Sequence, residues 1–266
     1  MDLKLKGKRA LVTGSSAGLG QAVAMLLAAE GATVVVHGRN SARAKAVAGA
    51  ITVAGGNAEI ALGDLATDAG ADAVAGKASE GGAIDILVNN AGSYHHLDWT
   101  TALPDKWAET YQINVLSAVR MIQRLVPAMR KHGWGRVIQI GGGLAGQPIP
   151  MLPDYNASLA ARHNLAVSLA RDLKNSGVTS NIVAPGAILV PAVKELLERI
   201  APQHGWGESW EEIERGCVRD MVPNDVGRLG RPEEIAAAVA YLASPRADYV
   251  SGATIRVDGG TIRSVF

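Results

Sequence analysis

Apolar residues recur along the chain in two alternating rhythms. Short runs of β-branched and aliphatic side chains predict strands over Arg9–Thr13, Thr33–His37, Ala58–Leu62, Ile84–Val88, Arg136–Ile140, Thr179–Val183 and Thr254–Val257. Between them, alanine-rich stretches with helical periodicity predict helices over Leu19–Glu30, Ser41–Ala54, Ala69–Ser79, Pro104–Lys131, Pro153–Ser176 and Pro232–Ala243. Three of these open on proline, which suits a first helical turn because its amide has no intrahelical partner. Strand and helix alternating from end to end predict an α/β fold, a doubly wound parallel sheet of about seven strands in a single domain spanning 1–266. The rhythm breaks between residues 191 and 229, where a charged helical stretch, Gly205-Trp206-Gly207 and Trp210–Met221 intervene; a long insertion before the last helix reads as a lid.

Composition narrows the partners. With 48% hydrophobic and 19% charged residues and a formal charge of +1, the chain offers no general attraction for nucleic acid or an anionic membrane, so a small molecule is expected. The lone Cys217 cannot form an internal disulfide, and no apolar stretch of signal-peptide length precedes the first strand, which points to a reducing cytoplasm. Apolar runs such as Ala22–Ala29 are too short to span a bilayer. Aromatic residues are only 4% of the chain, so Trp99, Trp206 and Trp210, in segments read as loops or lid, stand out as ligand contacts or core fillers. No histidine pair at helical metal spacing, no cysteine cluster and no serine nucleophile elbow occurs, so no metal site is expected.

Directly after the first predicted strand comes Thr13-Gly14-Ser15-Ser16-Ala17-Gly18-Leu19-Gly20, which opens a helix. Glycines allow a tight turn and close approach, and the helix N-terminus presents free N–H groups to a dinucleotide pyrophosphate, the Rossmann arrangement. The spacing TGxxxGxG resembles that of the short-chain dehydrogenases/reductases. Asn89-Asn90-Ala91-Gly92 resembles that family's NNAG element, Asp64-Leu65 its adenine-side turn and Pro185-Gly186 its turn after the sixth strand. Arg231-Pro232-Glu233-Glu234-Ile235-Ala236 and Val257-Asp258-Gly259-Gly260 resemble its C-terminal signatures. The resemblance implies a nicotinamide cofactor held by Gly14, Ser16, Gly18, Leu19, Gly20, Arg39, Asp64, Leu65, Asn90, Ala91, Gly92, Pro185, Gly186 and Ile188. At the end of the second strand, Gly38 stands where the family's NAD-selecting aspartate is found and Arg39 follows with a guanidinium suited to a 2′-phosphate, so NADP(H) is favoured over NAD(H). Ala17 lacks the extra basic residue that many NADP-preferring relatives carry, and Ile188-Leu189-Val190 stands where relatives place a threonine.

The same resemblance implies catalysis by an Asn, a Ser, and a Tyr followed four residues later by Lys. Asn114 and Tyr155 match, the latter in Tyr155-Asn156-Ala157-Ser158-Leu159-Ala160-Ala161, but Leu159 occupies the lysine position and Gly142 or Gly143 the serine position. Without the lysine, Tyr155 is expected to titrate near the reference value of about 10, which handicaps it as a base but leaves it able to donate a proton. Loss of the serine removes a donor to the developing alkoxide. Candidates to compensate are Arg162, three residues beyond Leu159 on the same helical face, and His95 and His96 after the NNAG element; a solvated surface arginine is the plainer reading of Arg162. Gly141–Gly143 present backbone N–H groups to an oxyanion or leave room for a bulky substrate. Tyr94, Trp99, Met151, Leu152, Trp206 and Trp210 are expected to line an apolar pocket under the lid.

Three functions follow: an NADP(H)-dependent oxidoreductase favouring carbonyl reduction, a non-catalytic dinucleotide-binding pseudoenzyme, and lyase or dehalogenase-like chemistry without hydride transfer. The family resemblance also implies a homo-oligomer, tetramer or dimer, packed through the helices that start at Pro104 and Pro153.

Overall fold

The seven expected strands form one parallel sheet in the computed structural model, which describes residues 2–264. They are β1 Arg9–Val12, β2 Thr33–Gly38, β3 Asn57–Leu62, β4 Ile86–Asn89, β5 Gly135–Ile140, β6 Val178–Pro185 and β7 Thr254–Val257, in the order β3-β2-β1-β4-β5-β6-β7. The direction of winding reverses between β1 and β4, and a crevice opens there beyond the carboxyl ends of the strands. Helices α1 Gly18–Ala29, α2 Ser41–Val53 and α9 Pro232–Ala243 pack their alanine and valine faces on one side, closing a core with Val12, Val34, Val36, Ile86, Val88, Ile138 and Ile140. On the other side α3 Asp68–Ser79, α5 Ser117–His132 and the end of α6 Pro153–Asp172 cover Leu11, Val35, Leu87 and Val137. Strands covered on both faces read as near-continuous apolar runs, which is why the pattern exposed them.

Local chemistry sets several helix starts. Asn40 and Thr67 side chains accept from the third residues of α2 and α3, and Ser209 with Glu212 forms a capping box on α8 Trp210–Asp220. The single helix expected over Pro104–Lys131 is instead three pieces: α4 Pro104–Tyr111, a π turn at Gln112–Leu116, and α5. The sequence on both sides of that turn is helical, so its pattern reads as one helix, and such turns concentrate at functional sites. Helix α6 stops at Asp172 rather than Ser176, because Asn175 and Gly177 take positive φ (59° and 73°) where the chain passes close against Gly133.

The segment 191–229 holds α7 Pro191–His204 and α8 around a small core of Leu197, Ala201, Trp206, Ile213, Cys217 and Leu229. Trp206, expected to line a substrate pocket, belongs to this core: it is 4% exposed and its Nε1 donates to Asp220 Oδ2 at 2.8 Å. Gly216 leaves the space that the Trp206 ring occupies. Trp99 is largely exposed beside the Trp107 ring, and Trp210 lies under the Lys194 ammonium. Among the described residues, no helix is long and apolar enough to cross a membrane, and no group of three His, Cys, Asp or Glu side chains is placed to hold a metal.

Candidate active site

The glycine-rich turn after β1 is locked to the segment after β4. Thr13 Oγ1 accepts from the Asn90 and Ala91 amides, both at 2.9 Å, while Asn90 Nδ2 donates to Thr13 O at 2.9 Å and Gly14 O at 3.1 Å. Gly14 and Gly18 adopt φ of 65° and 57°, a region costly for side-chain-bearing residues. A Cβ at Gly20 would lie on Gly14 O and 2.5 Å from Asn90 Nδ2, so the close approach of α1 to the turn requires glycine. Ala17 at the helix N-cap gives no side-chain cap and the first turn carries no acidic residue, so its N–H groups face the turn available to an anion.

His37 braces this cradle from β2. Its Nδ1 accepts from the Gly14 amide at 2.9 Å and its Nε2 lies 3.2 Å from Gly63 O, which fixes the neutral ring with the proton on Nε2. Burial pulls its pKa down from 6.5 to about 4, against the opposing Gly63 carbonyl. The unfolded chain therefore takes up the proton first as pH falls. Stability from this group is full above pH 6.5 and drains away toward pH 4, by about 3 kcal/mol in all. Urea unfolding at pH 7 and pH 4.5 is expected to show this loss, and the His37→Gln variant a smaller one over the same window. Equal pH slopes in the two proteins would contradict this role for His37.

At the end of β2 a Cβ on Gly38 would sit 2.6 Å from Ser16 Oγ, so the turn itself fills the place that an acidic side chain would take. Arg39 follows, exposed, with Asp64 Oδ2 3.9 Å from its guanidinium. An exposed pair at that distance contributes little and leaves the guanidinium available. Leu65, next to Asp64, is buried; after β6, Gly186 packs on Asp258 and Ile188 pairs with Gly230.

The π turn aims Asn114 inward. Its Nδ2 donates to Ser93 O at 2.9 Å and Ser158 Oγ at 3.0 Å, and its Oδ1 accepts from the Ser93 amide at 2.8 Å. Ser158 Oγ in turn donates to Tyr155 O at 2.8 Å, so Asn114 is braced against the turn of α6 that carries Tyr155. The Tyr155 ring packs 5.5 Å from Tyr94, which meets His96 edge-on at 5.5 Å. Burial pushes the Tyr155 phenol above its usual range; the Arg162 charge opposes that and Tyr94 adds to it. His95 Nε2 lies 3.9 Å from Glu109 Oε1 on α4. Leu152, at φ 59°, leads into α6 and donates its N–H to Leu97 O at 2.8 Å, joining the two loops beside Tyr155.

Arg162 is not the solvated side chain that an arginine on a helix suggests. It is 3% exposed and donates to three main-chain carbonyls: Asn114 O, Ala91 O, and Ile140 O at 2.6 Å. Burial lowers its pKa to about 10, still above neutrality, so it remains a cation. The three glycines after β5 are each matched by a neighbour in the space a Cβ would need. His163 stands against Gly141, Leu159 lies 3.0 Å from that position at Gly142, and Ile262 lies 2.7 Å from it at Gly143. Leu159 thus fills the volume over Gly142. Thr13, His37, Ser93, Ser158 and Ile262 were not singled out by sequence reasoning. His37, a polar residue ending the run Val34-Val35-Val36, was the legible signal among them.

Residues 8–201 match the profile of the short chain dehydrogenase family. An uncharacterized oxidoreductase of Bacillus subtilis strain 168, YvaG, is 35% identical over 269 residues, covering 100% of both chains. The 7alpha-hydroxysteroid dehydrogenase of Escherichia coli K12 is 34% identical, covering 99% of this chain and 98% of that one. The crystal structure of L-sorbose reductase from Gluconobacter frateurii, complexed with NADPH and L-sorbose, superposes with a TM-score of 0.93 at 33% identity over 100% of both chains.

Proposed function

The chain belongs to the short-chain dehydrogenase/reductase family of oxidoreductases, and we propose that it reduces a carbonyl substrate with NADPH, using Tyr155 as the proton donor. The observation that carries this reading is the continuous hydrogen-bonded assembly from the glycine turn through Asn90 and Ala91 to Arg162, and from Asn114 through Ser158 to Tyr155. One network ties the glycine turn to the main chain that carries Tyr155. The L-sorbose reductase that holds NADPH and L-sorbose supports both the cofactor and the direction.

The residues present fit the cofactor. Gly14, Ser16, Gly18, Leu19 and Gly20 would hold the pyrophosphate at the uncapped start of α1. Ser16 and Arg39 would take the 2′-phosphate, Asp64 and Leu65 the adenine side. Asn90, Ala91, Gly92, Pro185, Gly186 and Ile188 would flank the nicotinamide half. When bound, NADPH supplies the hydride. Tyr155, kept protonated by burial, donates its proton to the carbonyl oxygen, and Asn114 orients the helix turn that carries it. A phenol held above its usual pKa is a poor base at neutral pH, which favours reduction over alcohol oxidation. Tyr94, His96, Met151 and Leu152 would form the near wall of the substrate site, with 191–229 as the lid.

Incubation of the protein with NADPH and a panel of ketones, ketoses, quinones and aldehydes, followed at the absorbance of the reduced nicotinamide, is expected to find substrates that consume it. Binding of NADPH with no consumption across the panel would favour a non-catalytic dinucleotide-binding protein. No binding at all would leave a chemistry without hydride transfer. Removing the guanidinium in Arg39→Ala is expected to weaken NADPH about tenfold to a hundredfold, the range for a hydrogen bond to a charged group, and to leave NADH unchanged. Parallel fluorescence titrations read this directly, and equal losses for the two cofactors would remove Arg39 from phosphate recognition.

A further inference from the structure

Arg162 buries a full positive charge among partners that are all neutral main-chain carbonyls, a costly arrangement for a group whose only task is packing. Its three donors reach three segments far apart in sequence. Nε binds the carbonyl of Asn114 in the π turn, one Nη that of Ile140 at the end of β5, and the other that of Ala91 after β4. Each segment carries part of the site. Asn90, beside Ala91, holds the glycine turn through Thr13 O and Gly14 O. Asn114 is joined to Ser158 and Ser93, and Ile140 leads into Gly141–Gly143.

We propose that Arg162 is a positioning residue, a three-way clamp that fixes the glycine turn, Asn114 and the floor after β5 in register with Tyr155 on α6. The planar fork of a guanidinium spans three carbonyls at once; an ammonium is a compact point charge and does not reproduce that geometry. Leu159, one turn earlier on the same helix, is the apolar filler over Gly142, so charge and bulk are divided between two positions of one helical face. The clamp also carries a charge beside Tyr155, and the two contributions are separable by substitution. The kinetic part of this inference rests on the reductase reading; the clamp itself does not.

The test compares purified Arg162→Lys and Arg162→Met with the unaltered protein, first by amide hydrogen exchange without ligand. Both variants are expected to exchange faster at residues 90–93, 112–116 and 141–143 while the other strands stay protected. NADPH affinity, read by fluorescence without substrate, is expected to fall about tenfold in both. With a carbonyl substrate, kcat is expected to fall about a hundredfold in both, with KM for the carbonyl nearly constant, as for a misplaced rather than a missing contact. The alkaline limb of the reduction profile is expected to stay in place in Arg162→Lys and to move to higher pH in Arg162→Met, where Tyr155 loses its neighbouring cation. A side chain of purely packing importance would lower the melting temperature without moving that limb.

Exchange confined to the three segments sustains the clamp even if no carbonyl is turned over, in which case only the reductase reading fails. A folded variant with unaltered exchange, NADPH affinity and kcat overturns it, and if Arg162→Met does not fold, Arg162→Lys decides alone. Full activity in Arg162→Lys would also overturn it, because charge without the fork would then suffice.

Discussion

Tyr155→Phe is expected to abolish NADPH-dependent carbonyl reduction, by about a hundredfold to ten-thousandfold in kcat, while leaving NADPH affinity and the fold intact. The substitution removes one oxygen from a ring already packed beside Tyr94, so the change in shape is small and the change in chemistry complete. Gly142 offers no hydroxyl to donate in its place, and the space above it is filled by Leu159. The Asn114 amide is committed to Ser93 and Ser158. If Tyr155→Phe retains more than about a tenth of the activity, less than the effect of losing a general acid, the donor is another group, and His96 and His95 become the residues to substitute next.

The second large effect is expected at the glycine turn. In Gly20→Val the branched side chain has to enter a space bounded by Gly14 O and by Asn90 Nδ2, 2.5 Å from where its Cβ would stand. Neither neighbour can retreat freely, because Asn90 Nδ2 is hydrogen-bonded to both Thr13 and Gly14 carbonyls. The helix start must move away from the turn, taking its free N–H groups out of line with a phosphate. Overpacking of this kind costs about 1–3 kcal/mol before any contact is lost, and NADPH affinity is expected to fall about a hundredfold or more. The rise in melting temperature that saturating NADPH gives the unaltered protein should then disappear. An undiminished rise in Gly20→Val would mean that the cofactor binds elsewhere.

The parallel sheet and its strand number were readable because strands buried on both faces are almost purely apolar, and because the glycine turn announces the first strand-to-helix junction. Tyr155 and Asn114 were candidates from the motifs that surround them, and Ser158 links the Asn114 amide to the Tyr155 carbonyl. The burial of Arg162, itself a candidate to compensate for the missing lysine, was not readable, since an arginine on an amphipathic helix is solvated in most proteins, and its three carbonyl partners lie 22, 48 and 71 residues away. Helical spacing placed it on the Tyr155 face, but spacing does not say that the face is buried. Trp206 misled for the opposite reason: flanked by glycines in an insertion, it resembled a ligand contact, yet the insertion has a core of its own and needed a large apolar side chain. The π turn that aims Asn114 adds one residue within a run that still reads as helical on both sides of it, so the pattern predicts one uninterrupted helix.

The proposed reaction moves a hydride onto a carbonyl carbon. The most direct measurement supplies NADPH deuterated at the nicotinamide C4 position, adds carbonyl substrates, and examines the resulting alcohols by mass spectrometry. The unaltered protein is expected to form an alcohol carrying deuterium on the former carbonyl carbon, and Tyr155→Phe is not. Cofactor bound with affinity but never losing its deuterium to any carbonyl compound would contradict it.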